Sequence, residues 1–166
     1  MAKKTAPITS FPSIGKKAPA FTAPGSNGEK VKLSDFDGKV LVLYFYPKDN
    51  TAGCTQEACS FRDAYDQFQQ AGIEVVGVST DPLESHAKFI GKHELPFTLL
   101  TDARHKMAEA YGTWRQKQMS GRKFMGVVRV TFIIAPDGTL AHVFEKVKPA
   151  QHAKQILAWI RSNLKR

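Results

Sequence analysis

Cysteine is nearly absent from this chain: 166 residues carry two, Cys54 and Cys59. Two thiols cannot frame a disulfide-dense secreted scaffold, and in a reducing compartment such a pair is more often catalytic or buried than structural, so a cytoplasmic location is expected. Long apolar runs are missing as well. None reaches the roughly 18 residues of a membrane span. The opening MAKKTAPITSFPSIGKKAP has lysines at 3 and 4 but no apolar stretch behind them, so no secretory leader is expected. There is no internal repeat, no dividing linker and no Cys-x-x-Cys. Acidic residues are outnumbered, 15 against 24 basic ones, for a formal charge of +9. Such an excess attracts phosphates, yet the lysines are dispersed among acidic and apolar positions, and no aromatic interleaving resembles an RNA-reading sheet. The basic surface therefore predicts solubility rather than a nucleic-acid role.

What is present suffices for one packed domain, since 42% of the residues are hydrophobic. Residues 1–15 form a basic arm, expected to be extended or partly mobile, and 16–166 the domain. Pro19, Pro24, Gly25, Asn27 and Gly28 mark short strand pieces around a turn, an N-terminal hairpin. Val40–Tyr46 (VLVLYFY) has the continuous apolar character of a strand buried on both faces. Ala58, Phe61, Tyr65 and Phe68 recur at helical spacing, which predicts one helix over 54–71 with Gly72 at its end. Ile73–Val78 is a second strand. Asp81, Pro82 and Glu84 then have the spacing of a capping box that opens a helix ending near Gly91. A short strand over 97–100 and a short helix over 103–111 follow. Residues 112–126 have no clean period and are expected to form a surface loop. A strand over 127–135, a turn at Pro136-Asp137-Gly138, its partner over 139–144 and a helix over 149–164 complete a mixed-sheet α/β domain with helices on both faces.

Chemistry concentrates in Pro47-Lys48-Asp49-Asn50-Thr51-Ala52-Gly53-Cys54-Thr55-Gln56-Glu57-Ala58-Cys59, where the first strand gives way to a helix. A thiol in the first helical turn faces unpaired backbone N–H groups and the positive end of the macrodipole, which favours a thiolate. Within an intact helix, residues five apart have Cα atoms roughly 8.6 Å apart. A disulfide needs them within about 7 Å, so a Cys54–Cys59 bond requires the helix start to unwind. That geometry fits a redox cycle and not a permanent crosslink. Thr51, three residues before Cys54, can turn its hydroxyl toward the sulfur, and Pro47 can lid the pocket. A remote cation is needed to stabilise the thiolate and orient an oxygen ligand; Arg129, at the start of a later strand, is the best candidate because its guanidinium is a rigid fork of donors. Glu57 either buttresses Arg129 or complements the helix dipole, and both readings stay open.

Pro47, Thr51 and Cys54 match the Pro-x-x-x-Thr-x-x-Cys signature of the peroxiredoxins. YFYPKDNTAGCTQEAC, FTLLTD at 97–102 and VRVTFIIAPDGTL at 128–140 are similar to the bacterioferritin comigratory protein, or peroxiredoxin Q, subfamily. The resemblance spans roughly residues 15–164. It implies a thioredoxin-like fold and thiol-dependent reduction of hydrogen peroxide and alkyl hydroperoxides. It also implies Cys54 as nucleophile, Cys59 as resolving cysteine and Arg129 as the active-site arginine. Thioredoxin, or glutaredoxin in its place, is the implied reductant, and a monomer the implied state, since both cysteines share one helix. No metal, haem or other cofactor is called for. Ala52 stands where many members of the subfamily have proline.

Blander readings compete at several positions. Two inert buried thiols would explain isolated cysteines but not this loop. A zinc site needs four ligands, and Cys-x₄-Cys with distant His86, His93 or His105 has no regular ligand spacing. Tyr44 is expected to pack, with a polar tip able to face the pocket, Trp114 to pack in its loop rather than cover the active-site mouth, and Trp159 to pack in the core. None of the five histidines is assigned to catalysis. Of other functions, a general thiol-disulfide oxidoreductase would normally show Cys-x-x-Cys, and a DNA-protecting or holdase-like protein would bind through the basic surface.

Overall fold

The computed structural model describes residues 10–164. Strands β1 (Thr22–Pro24) and β2 (Lys30–Lys32) pair as a small antiparallel hairpin. Strand β3 (Val40–Phe45) follows and is buried throughout, as its unbroken apolar run requires. Helix α1 spans Ala52–Asp63 and α2 Tyr65–Gln70, so the single helix expected over 54–71 is broken at Ala64. The apolar spacing runs through the break because both halves pack on the same core, so periodicity did not reveal it. Gly72 leaves α2 at φ +71°, a left-handed turn that suits glycine.

Strand β4 (Ile73–Ser79), helix α3 (Leu83–His93), strand β5 (Thr98–Thr101) and helix α4 (Lys106–Ala110) come next. The expected capping box before α3 does not form. Pro82 is the N-cap, and Asp81 instead accepts from the Asp49 backbone N–H at 2.8 Å and the Ser79 hydroxyl at 2.7 Å. The helix also runs past Gly91 to His93, where Glu94 ends it at φ +51°.

Residues 112–126, expected to be a loop, form most of a hairpin: β6 (Trp114–Met119) against β7 (Arg122–Val127). Ser120 and Gly121 turn it with φ values of +52° and +77°, the left-handed pair a tight hairpin turn needs. Strand β8 (Val130–Ile134), strand β9 (Leu140–Phe144) and helix α5 (His152–Asn163) close the chain. Arg129 thus lies in the two-residue link between β7 and β8, one position before the strand expected to contain it.

The central sheet has the order β5-β4-β3-β8-β9, with β3, β4 and β5 parallel and β8 and β9 antiparallel. Alternation along β3 divides the core in two. Val40, Val42, Tyr44 and Tyr46 face α1, α2, α3 and α5 through residues such as Phe61, Phe68, Phe89 and Ile156. Leu41, Leu43 and Phe45 face α4 and the chain before β1. This is the mixed sheet with helices on both faces that the sequence predicts.

Residues 1–9 of the arm lie outside the described residues. The rest of it, from Ser10 on, is docked: Phe11 meets Phe132 edge-on at 5.9 Å, and the Gly15 N–H donates to Leu140 O at 2.8 Å. Phe45 pairs with Val130 across β3 and β8. That register brings the loop after β3 and the arginine before β8 to the same end of the sheet.

Candidate active site

Cys54 is the third residue of α1, with Thr51 as N-cap. The first backbone bond of the helix runs from the Thr55 N–H to Thr51 O at 2.8 Å. The N–H groups of residues 52–54 therefore precede the intrahelical ladder and point out of its positive end. Cys54 is 1% exposed, and Cys59 is partly buried on the same helix; both are free thiols. With α1 unbroken from 52 to 63, the two sulfurs are held on different turns.

Arg129 Nη2 donates to Cys54 Sγ at 3.3 Å while its Nη1 donates to Glu57 Oε1 at 2.6 Å. Glu57 follows Cys54 by three residues, so both lie on one helix face and share one guanidinium. Of the two readings of Glu57, the buttress of Arg129 is the one the structure adopts. Glu57 is completely buried, and that burial, opposed by Arg129, pushes its carboxyl up to about 7. Its Oε2 has no hydrogen-bond partner among the described residues.

His152 Nε2 lies 3.9 Å from that oxygen, but the two do not form an ion pair. Burial holds the imidazole down near 4, so it is neutral. Its Nδ1 faces Gln155 Oε1 at 3.2 Å, which requires a hydrogen on Nδ1, and its Nε2 accepts from the Thr131 hydroxyl at 2.6 Å. No local pattern marks His152, because its hydroxyl partner Thr131 comes from β8.

The remaining residues of the motif are placed as follows. Pro47 lies two residues beyond the end of β3 and is half-buried. The Thr51 hydroxyl does not bond the sulfur; it donates to Lys48 O at 2.9 Å and keeps its lone pairs free to accept. Gly53 is a close-approach glycine, since a Cβ there would lie 3.0 Å from Arg129 Nη2. Tyr44 stacks on Phe61 at 4.7 Å, and its hydroxyl lies against Gly77 of β4. Lys117 of β6 adds a second cation at the site. Burial lowers its ammonium, the nearby Cys54 sulfur works the other way, and Nζ donates to Val127 O at 2.9 Å. Trp114 stacks on His105 at 3.9 Å and Trp159 on His142 at 4.5 Å, both as packing residues. His86, weighed above only as a zinc ligand, pairs with Asp49 in a separate buried cluster beside the loop.

A buried sulfur at a helix start, under a guanidinium fixed by a buried carboxylate, is equipped to bind an anion-forming oxygen substrate and stabilise charge as a bond breaks. The family model described as AhpC/TSA family matches residues 14–143. The chain is similar to peroxiredoxin Bcp of Bacillus subtilis, at 49% identity over 87% of this chain and 92% of that protein. It is 41% identical to peroxiredoxin Bcp of Escherichia coli over 90% of this chain and 96% of that protein. Among solved structures it resembles the bacterioferritin comigratory protein of Xanthomonas campestris, studied for alkyl peroxide reduction, with a TM-score of 0.85 and 33% identity. That match covers 92% of this chain and 100% of the other.

Proposed function

This chain belongs to the AhpC/TSA family as a peroxiredoxin of the Bcp type, and we propose that it reduces hydrogen peroxide and alkyl hydroperoxides with Cys54 as the nucleophile and Cys59 as the resolving thiol. The observation that carries the assignment of Cys54 is the single guanidinium of Arg129 shared between its sulfur and the buried Glu57. The Cys54 thiolate attacks one oxygen of the hydroperoxide, the O–O bond breaks, and sulfenic acid forms as the second oxygen departs with the electron pair and takes up a proton as water or alcohol. Thr51, whose hydroxyl hydrogen is committed to Lys48 O, accepts a hydrogen bond from the hydroperoxide O–H. Arg129 and the free N–H groups at the start of α1 stabilise charge on the departing oxygen. Pro47 shields the sulfur from bulk water.

The start of α1 then unwinds. The Cys59 thiolate displaces hydroxide from the sulfenic sulfur, a proton makes that hydroxide water, and an intramolecular disulfide remains. Thioredoxin, or glutaredoxin in its place, restores both thiols by exchange. The cycle needs one chain, which favours a monomer, and its need for a dithiol reductant favours the reducing cytoplasm. Peroxide consumption coupled to thioredoxin, thioredoxin reductase and NADPH tests the reading. The wild-type protein should turn over and Cys54→Ser should not, and substantial turnover by the folded serine variant would remove Cys54 from the mechanism.

A further inference from the structure

A second buried polar cluster lies at the same end of the sheet, just upstream of α1. Asp49, between Pro47 and Thr51, is 5% exposed, and His86 on α3 is 0% exposed. The Tyr46 hydroxyl donates to Asp49 Oδ1 at 2.6 Å and the Ser85 hydroxyl to Oδ2 at 2.8 Å. His86 Nδ1 lies 2.8 Å from the same Oδ2, and its Nε2 lies 2.9 Å from Leu100 O on β5. The Asp49 N–H is taken by Asp81, in the connection between β4 and α3.

A carbonyl only accepts, so Nε2 of His86 carries a hydrogen, while Nδ1 and the Asp49 carboxyl share a hydrogen between them. Burial opposes ionisation of Asp49, but hydrogen bonds from His86, Tyr46 and Ser85 outweigh it and hold the carboxyl below its ordinary value.

Well-packed apolar residues would stabilise such a place as much as a buried polar pair or more, so stability alone does not account for it. Its location offers a reason. Asn50, the next residue, has φ +63°, a left-handed conformation that surrounding contacts must hold. The pair and its partners tie this loop to β3, β4, α3 and β5, all upstream or outside of the helix that has to open. We propose that Asp49 and His86 are positioning residues for peroxide reduction, clamping the 47–51 loop to the sheet so that Thr51 and the start of α1 stay in register with the sulfur while α1 beyond Cys54 opens and closes. This rests on the peroxidase reading above.

The reduced full-length protein provides three readouts. Long-range proton–nitrogen NMR should find Nε2 of His86 protonated and Nδ1 hydrogen-bonded; a bare Nε2 overturns the arrangement of the pair. On the pH plateau of Cys54 oxidation by hydrogen peroxide, His86→Leu should lower the second-order rate about tenfold or more, because small misplacements at a reacting centre are costly. The same variant should speed exchange of the Asp49 amide. Asp49→Asn should slow oxidation less than His86→Leu does, since its amide N–H can donate to Nδ1 in the same place, and a loss as large as that of His86→Leu overturns this pairing. A folded His86→Leu protein with wild-type oxidation and wild-type Asp49 exchange overturns the proposal. Should that variant not fold, Ser85→Ala removes one hydrogen bond to Asp49 and should lower the rate about threefold; an unchanged rate is equally fatal. Wild-type protein inert to peroxide would defeat the peroxidase reading instead, and the Asp49 amide would still report whether the pair holds the loop.

Discussion

Replacing Glu57 by glutamine should make the protein less sensitive to rising pH. The carboxyl is completely buried and titrates near 7 in place of 4.5, because burial outweighs the help of Arg129. The folded state therefore holds this proton more tightly than the unfolded chain. The stabilising contribution is fully present below 4.5 and is lost as pH rises through 7. At about 1.4 kcal/mol per pH unit, the loss amounts to about 3 kcal/mol. Glutamine keeps an oxygen for Arg129 Nη1 and has no charge to desolvate. Urea unfolding under reductant at intervals from pH 4 to 8 measures the effect as wild type minus variant, a difference that removes the other titrating groups. His152 is the group most in need of this subtraction. It is pulled down from 6.5 to about 4, so its contribution is present above 6.5 and is lost as pH falls toward 4. The glutamine variant should gain on wild type by about 3 kcal/mol between pH 4.5 and 8. A flat difference, or a gain toward acid, would refute the buried-carboxylate reasoning.

Three further variants bear on the site. Arg129→Met should slow Cys54 oxidation about a hundredfold even on the pH plateau, where the thiolate is fully formed, because a donor to the departing oxygen is lost; recovery of the wild-type rate there would leave Arg129 with a role in thiolate formation alone. Gly53→Ala places a Cβ 3.0 Å from Arg129 Nη2. It should slow oxidation about fivefold while leaving the melting temperature equal or higher, as alanine favours a helix; stopped-flow oxidation and thermal unfolding read the two effects separately. Cys59→Ser should react once and gain the mass of one oxygen atom, and a protein left unmodified by a peroxide pulse would make Cys59 the primary nucleophile.

The central sheet was legible because VLVLYFY and its partners carry runs that only a doubly covered strand needs. The β6–β7 hairpin was not. Its residues are largely exposed or half-buried, so WRQKQM and RKFMGV show no apolar alternation, and only Ser120-Gly121 signals the turn. Cys54, Thr51 and Pro47 could be read together because they are local. Glu57 was visible as a neighbour on the same helix face, but its pairing with Arg129 joins residues 72 apart. Arg129 itself entered through chemical need and family resemblance, not through any local pattern. The roles of His152, Asp49 and His86 were illegible for a related reason: each depends on partners from other elements, and a lone histidine in an amphipathic helix looks like any other. Asp81 shows the reverse error, since a good local cap was taken by a tertiary contact with Asp49.

The central claim is that Cys54 and Cys59 join only when α1 gives way. Amide hydrogen exchange over residues 55–62, followed in the reduced protein and after one equivalent of peroxide, tests it directly. Reduced protein should protect these amides, since α1 is continuous from Ala52 to Asp63 with Ala58 and Phe61 fully buried. Oxidised protein should exchange them rapidly, because helical geometry keeps the sulfurs beyond bonding reach. Equal protection in the two forms, with the thiols consumed, would contradict the account and mean that the disulfide does not join Cys54 to Cys59 within one chain.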